Sequence, residues 1–192
     1  MLRDEPRHRP FGRKQAAAAG DAVAFLFRRG AVSSRGLDRA RRRGPGLTLA
    51  ALHLTTLGVG ACAAFGAAYQ LLPVATRAPI GAAGLADLSF WLLAPGAATL
   101  SLGMAAQNAD AMLAGAALLA AAFAVFGLVT LRNLARAPAP DHVMPFVRAG
   151  LAAAAAFVPL ALALALDARF GGLDRHPALA RAHMILAAFG FF

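Results

Sequence analysis

Five long apolar segments, joined by short polar stretches, fill this chain from residue 47 to its end. Four of them reach the roughly 20 residues that a helix needs to cross a bilayer core of about 30 Å. Because lipid offers the backbone no hydrogen-bonding partner, such segments form helices that pack into a bundle. The sequence therefore predicts an all-α, polytopic transmembrane helical bundle with four full spans and a partial fifth, at about 47–72, 85–107, 109–131, 145–166 and 177–192.

The charged residues are segregated from the apolar segments. The chain is 59% hydrophobic, with a mean hydropathy of +0.62, and 12 of its 19 Lys and Arg residues fall within residues 1–44. We therefore predict a basic tail over 1–44, largely disordered or lying on the membrane surface, and a transmembrane helical domain over 45–192. The apolar run 16–27 within the tail is too short to cross the membrane.

The net charge of +10 would also suit a nucleic-acid-binding protein. The basic residues flank membrane spans, however, so attraction to anionic lipid headgroups explains them more simply than a nucleic-acid surface does. The expected partners are the lipid bilayer and other membrane subunits, with no nucleic acid. The expected location is a bacterial inner membrane, as a multi-pass integral protein.

Prolines and one short turn set the expected shape of the spans. Pro73 is predicted to close the first span, Pro95 to kink the second and Pro159 to interrupt the fourth, since proline removes a helical hydrogen bond. The link Gln107–Asn108 is so short that the second and third spans are predicted to be an antiparallel pair. The chain ends in an apolar run soon after Pro177, so the fifth span is expected to be incomplete and the chain a truncated product.

Two histidines lie inside apolar spans, His53 in the first and His183 in the fifth. A histidine in hydrocarbon is costly and marks a functional site by default, and neutral imidazole is a common ligand of metals and of haem iron. Both spans run in the same direction, so the two imidazoles are predicted at a similar depth, about 10 Å from the same end. Alternatively, each histidine only donates a hydrogen bond within the bundle, with Thr55 and Thr56 as local partners of His53.

Other chemistry-bearing residues are few. His8, His142 and His176 lie in the tail and in loops, where solvated side chains are expected. The single cysteine, Cys62, excludes an intramolecular disulfide and a cysteine-based zinc or iron–sulfur site, and is expected to be a core residue. No Gly-rich phosphate loop, catalytic triad or pair of intramembrane carboxylates is present. The sequence leaves open whether the chain is an enzyme.

The segment Leu52–Pro73, LHLTTLGVGACAAFGAAYQLLP, resembles the haem-bearing second helix of haem–copper oxidase subunit I and of the related nitric oxide reductases. In that helix a histidine near the start binds the low-spin haem. Phe90–Gly103, with its Phe-Trp pair, is similar to the third helix of the family, and Arg181–Phe192 to the start of a later histidine-bearing helix. A group of small membrane proteins related to this subunit shares the phrase His…Tyr-Gln-x-x-Pro.

This resemblance implies that His53 is a haem axial ligand and that His183 is a second haem or metal ligand, with electron transfer as the chemistry. The tryptophan and glycine signature of the family's copper-binding helix is absent around His183, so copper is not expected. Most of the family's catalytic residues would lie beyond Phe192, so the chain is expected to be incomplete as a catalyst. The competing interpretation is a non-catalytic membrane scaffold, assembly or transport protein, or a degraded gene product.

Two lines of reasoning predict opposite orientations of the first span across the membrane. The basic tail places residues 1–44 in the cytoplasm by the positive-inside rule, whereas the resemblance places His53 towards the outside. The arginines between the third and fourth spans favour the orientation that the resemblance implies. Those between the fourth and fifth spans favour the orientation that the basic tail implies. A preceding span that has been lost would reconcile the two, and reporter fusions at Phe27 and Asp141 would test this hypothesis.

Overall fold

The computed structural model of the protein describes residues 46–81, 83–137 and 142–191, which belong to the unit Arg43–Phe192 of the chain. The predicted basic tail over 1–44, with its apolar run 16–27, lies outside the described residues. Those that are described form helices and no strand. The predicted all-α helical bundle is therefore confirmed.

Five helices follow one another along the chain. They are α1 (Gly46–Thr76), α2 (Ala83–Ala106), α3 (Ala109–Ala135), α4 (Met144–Phe170) and α5 (His176–Leu186). The helical turns widen to π-helix in two places, which we call the first π segment, Leu54–Ala61 within α1, and the second π segment, Ala187–Phe191 directly after α5. The predicted spans therefore match the helices to within a few residues.

The outer surface of the bundle is apolar. The four helices α1 to α4 are long and apolar enough to cross a membrane, and at most 39% of the apolar stretch of each is buried inside the protein. Large side chains face outward, among them Trp91, Phe146 and Phe189, which are 71%, 78% and 85% exposed. Contiguous apolar surface on this scale is not stable in water. We conclude that the chain is a multi-pass membrane protein.

Internal prolines do not end the helices. Helix α1 continues past Pro73 to Thr76, so the prediction that Pro73 closes the first span is wrong. Helix α4 runs through Pro159 without a break, and α2 runs through Pro95. Transmembrane helices tolerate proline because neighbouring helices and side chains satisfy the backbone group that it frees.

The second and third helices form the predicted antiparallel hairpin. Gln107 turns the chain with a φ of +54°, and the side-chain oxygen of Asn108 accepts a hydrogen bond from the Ala111 amide at 3.1 Å, which caps α3. Gly115 brings the two backbones into contact, because a Cβ there would lie only 2.7 Å from the Leu100 Cα. Close backbone approach at small residues is how helices associate in membranes.

Aromatic rings attach the outer helices to this hairpin. The aromatic cluster consists of Phe65 and Tyr69 of α1, Phe123 and Phe126 of α3, Phe157 of α4 and Phe191 of the second π segment. Phe65 stacks on Phe126 with ring centroids 3.9 Å apart, and Phe191 meets Phe65 edge-on at 6.5 Å. The cluster therefore joins four elements at the centre of the bundle.

Tyr69 also makes a polar contact inside the bundle. Its hydroxyl lies 2.7 Å from Ser89 Oγ, which itself donates to the Ala86 carbonyl oxygen at 2.7 Å. Because the serine has one proton, Tyr69 is the donor to Ser89. Tyr69 therefore contacts both α2 and the aromatic cluster.

Asn133 fixes the C-terminal end of α1 to α3. This side chain is fully buried, and its Nδ2 donates to the Ala78 carbonyl oxygen at 2.7 Å. Its Oδ1 lies 3.0 Å from Thr76 Oγ1, which also lies 2.6 Å from the Leu72 carbonyl oxygen and has one proton to share between them. The chain after α1 is thereby held against the end of α3.

Candidate functional site

His53 lies near the N-terminal end of α1, directly before the first π segment, and its side chain is half-buried. The ring Nδ1 lies 2.8 Å from the Leu49 carbonyl oxygen, one turn earlier in the helix. Because a carbonyl oxygen only accepts, Nδ1 carries the proton and Nε2 keeps a lone pair. His53 is therefore held as the tautomer that presents Nε2 as a ligand atom.

The two threonines after His53 do not bind it. Thr55 Oγ1 donates to the Ala51 carbonyl oxygen and Thr56 Oγ1 to the Leu52 carbonyl oxygen, both at 2.9 Å. The suggestion that these threonines are partners of His53 is therefore wrong. In a π segment each amide bonds one residue further back than in an α-helix, and such segments are frequent at functional sites. Here the two threonine hydroxyls donate to the Ala51 and Leu52 carbonyl oxygens, directly before the first π segment.

His183 lies in α5 and is also half-buried. Its Nδ1 is 3.1 Å from the Phe157 carbonyl oxygen of α4, and its ring meets the Phe157 ring edge-on at 5.8 Å. By the same argument Nδ1 is the donor and Nε2 keeps its lone pair. The second π segment begins four residues later, at Ala187.

The two histidines occupy matching positions in the first and last helices of the described chain. His53 is the eighth residue of α1 and His183 the eighth residue of α5, and both helices have odd positions in the chain order. The predicted common depth of the two imidazoles stays a prediction.

The donor set suits haem iron. A histidine that ligates a metal usually donates its other ring N–H to a carbonyl or carboxylate, and both histidines show that arrangement. Within the described ranges no three or more His, Cys, Asp or Glu side chains form a group that could hold a metal ion. Haem iron takes only one or two protein ligands, since the porphyrin supplies the others.

The remaining described histidines lie at the surface. His142 is exposed, and the exposed His176 contacts Asp167 Oδ2 through Nδ1 at 2.6 Å. At the end of the bundle where His176 lies, Arg169 forms an ion pair with Asp110. These groups are in reach of water, as expected for loops and helix ends, and His8 lies outside the described residues.

Comparison of the chain with protein-family models, with curated protein sequences and with solved structures gave no match. The likeness to haem–copper oxidase subunit I rests on the residues quoted from the sequence. A ligand role for His53 and His183 stays a prediction.

Proposed function

We propose that this chain is a haem-binding membrane protein of a bacterial inner membrane, and that His53 and His183 supply the iron ligands. The observation that carries the proposal is the pair of half-buried imidazoles, each anchored through Nδ1 to a backbone carbonyl with Nε2 left for a ligand. The resemblance of Leu52–Pro73 to a haem-bearing helix agrees with this assignment. Other membrane subunits would be the electron-transfer partners.

The residues around the pair have separate roles in this proposal. The Leu49 and Phe157 carbonyl groups fix the tautomer and the orientation of the two rings. The Phe157 ring, edge-on to His183, contributes an apolar wall that limits the access of water. Bound haem would supply one-electron transfer at a potential set by its axial ligands and its burial.

Optical spectroscopy of the purified full chain tests this proposal. After addition of hemin we expect a Soret band that is lost in His53→Ala. Because His183 is proposed as the second iron ligand, we expect His183→Ala to keep the band but to convert a low-spin spectrum to a high-spin one. His176→Ala, which changes an exposed histidine at the helix start, is the matched control and leaves the spectrum as in the parent.

The absence of any Soret band in a folded parent protein would overturn the proposal, as would an unchanged band in the His53→Ala/His183→Ala double variant. His53→Gln, which keeps a polar side chain near Leu49, separates loss of ligand from loss of folding. Elution volume and helical circular dichroism establish that each variant is folded.

One observation favours a second candidate, a non-catalytic membrane scaffold, assembly or transport protein. The hydrogen bond from His183 to the Phe157 carbonyl oxygen crosses from α5 to α4, as expected of a histidine that only joins two helices. In that case His183→Ala lowers the thermal stability of the protein, and the parent shows no haem absorbance.

A further inference from the structure

An apolar groove runs along the outside of the bundle between α3 and α4. It has a volume of about 420 Å³, and five of its eleven lining residues are small: Ala120, Ala124 and Gly127 of α3 and Ala154 and Ala155 of α4. Phe123, a member of the aromatic cluster, also lines it. No charged side chain lines this groove, so its occupant is apolar along the whole of this length.

Two arginines stand at one mouth of the groove. Arg132 follows the lining residue Leu128 by four positions on α3, and Arg148 precedes the lining residue Leu151 by three positions on α4. Residues at these spacings share a helix face. Since α3 and α4 are consecutive antiparallel helices, the end of α3 and the start of α4 lie at the same end of the bundle.

Both arginines are exposed, and neither forms an ion pair with any residue that the structure describes. At the other end of the bundle Arg169 is paired with Asp110, while the exposed Arg175 forms no ion pair with a described residue but lies away from the groove. The mouth of the groove therefore carries two positive charges with no described carboxylate to balance them.

The dimensions match one leaflet of a bilayer. Arg148 and Pro159 are eleven positions apart on α4, and Pro159 lies at the deep end of the groove. At 1.5 Å per residue this corresponds to about 16 Å of helix. Half of a hydrocarbon core of about 30 Å is close to this length. With the arginines at headgroup level, the groove extends to the middle of the membrane.

We propose that this groove binds an anionic phospholipid, with an acyl chain against the small residues of α3 and α4 and the headgroup on Arg132 and Arg148. Basic residues between helices at the membrane surface attract anionic headgroups. A second copy of the chain is a poorer occupant. Copies in one membrane share an orientation, so the same arginines would meet at the same depth and repel each other.

Native mass spectrometry of the full chain in detergent tests this site, with phosphatidylglycerol and phosphatidylcholine of identical acyl chains as probes. We expect the parent to retain phosphatidylglycerol preferentially. Arg132→Gln and Arg148→Gln should each weaken that retention about fivefold, the effect expected of one basic residue near an anionic lipid, and leave phosphatidylcholine unchanged. Arg175→Gln, an exposed arginine at the other end, is the control and has no effect.

Filling the groove tests the acyl-chain half of the site. A Cβ at Gly127 would meet only Leu151 at 3.9 Å, so Gly127→Leu places a side chain in open groove space and should reduce binding of both lipids. Gly66→Leu on α1, where a Cβ meets nothing within 4 Å, is the matched control. Equal retention of the two lipids by the parent, or a change of oligomeric state instead of lipid binding in Gly127→Leu, would overturn the proposal.

Discussion

The α2–α3 hairpin and the outer helices α1 and α5 are held in the bundle by different contacts. In the hairpin, backbone meets backbone at Gly115, with no side chain between the helices at that point. Beyond Gly46, where a Cβ would lie 2.7 Å from the Met104 carbonyl oxygen, α1 is attached chiefly through rings of the aromatic cluster. The segment after α5 is attached through the Phe191 ring, and α5 itself through the contact of His183 with Phe157. The hairpin is therefore the part of the molecule that has least freedom to rearrange.

The candidate site lies on the less constrained part. Both histidines stand on the outer helices and both precede a π segment, where the regular α-helical hydrogen-bond pattern is lost. A site that must accept a bulky group benefits from helices that can separate by a small amount without breaking backbone contacts.

The largest expected effect comes from a methyl group inside the hairpin. Gly115→Ala places a Cβ against the Leu100 backbone, which cannot move aside as a flexible side chain would. We expect the free energy of unfolding to fall by about 3 kcal/mol, the upper part of the range for overpacking, measured by thermal denaturation in detergent.

Gly66→Ala is the control for this prediction, since a Cβ at Gly66 meets nothing within 4 Å. Alanine favours the helix by up to about 1 kcal/mol over glycine, so this variant should be as stable as the parent or more so. Equal destabilisation by both substitutions would show that the hairpin is not held by backbone contact.

A smaller effect is expected where α1 is fixed to α3 by a side chain. Asn133→Leu removes the donor to the buried Ala78 carbonyl oxygen, and a buried group without a partner costs about 1–3 kcal/mol. Thr130→Val is the matched control on the same helix, because the buried Thr130 Oγ1 has no hydrogen-bond partner among the described residues. Its replacement should leave the melting temperature unchanged or raise it, and a loss as large as that of Asn133→Leu would contradict this account.

Much of the fold could be predicted because hydropathy alone determines which segments cross a membrane. The four long spans follow from runs of apolar residues, and the α2–α3 hairpin follows from the shortness of the Gln107–Asn108 link. The end of α1 could not be predicted. Pro73 is a strong signal for a helix end, but its effect depends on neighbours that satisfy the freed backbone group.

The candidate site could be predicted only in part. The matching positions of His53 and His183 near the starts of their helices follow from the bounds of the first and fifth spans. Their hydrogen-bond partners could not be read from the sequence, because the Phe157 carbonyl oxygen comes from another helix and the Leu49 carbonyl oxygen competes with the nearer threonine hydroxyls. Asn133 was missed for a similar reason: a polar residue near the end of a span looks solvated until its neighbours are known.

The smallest expected effect concerns the attachment of the chain after α5. Phe191→Ala removes a ring that meets Phe65, Phe123 and Phe157 edge-on. Lipid is as apolar as the protein interior, so only the packing is lost, and we expect a decrease of about 1 kcal/mol, the value of an aromatic pair. Phe189→Ala is the control, because the Phe189 ring is 85% exposed and should contribute almost nothing. If Phe191→Ala leaves the melting temperature unchanged while limited proteolysis after Arg181 becomes faster, α5 detaches without unfolding the hairpin; if neither quantity changes, side-chain contact does not hold α5 in place.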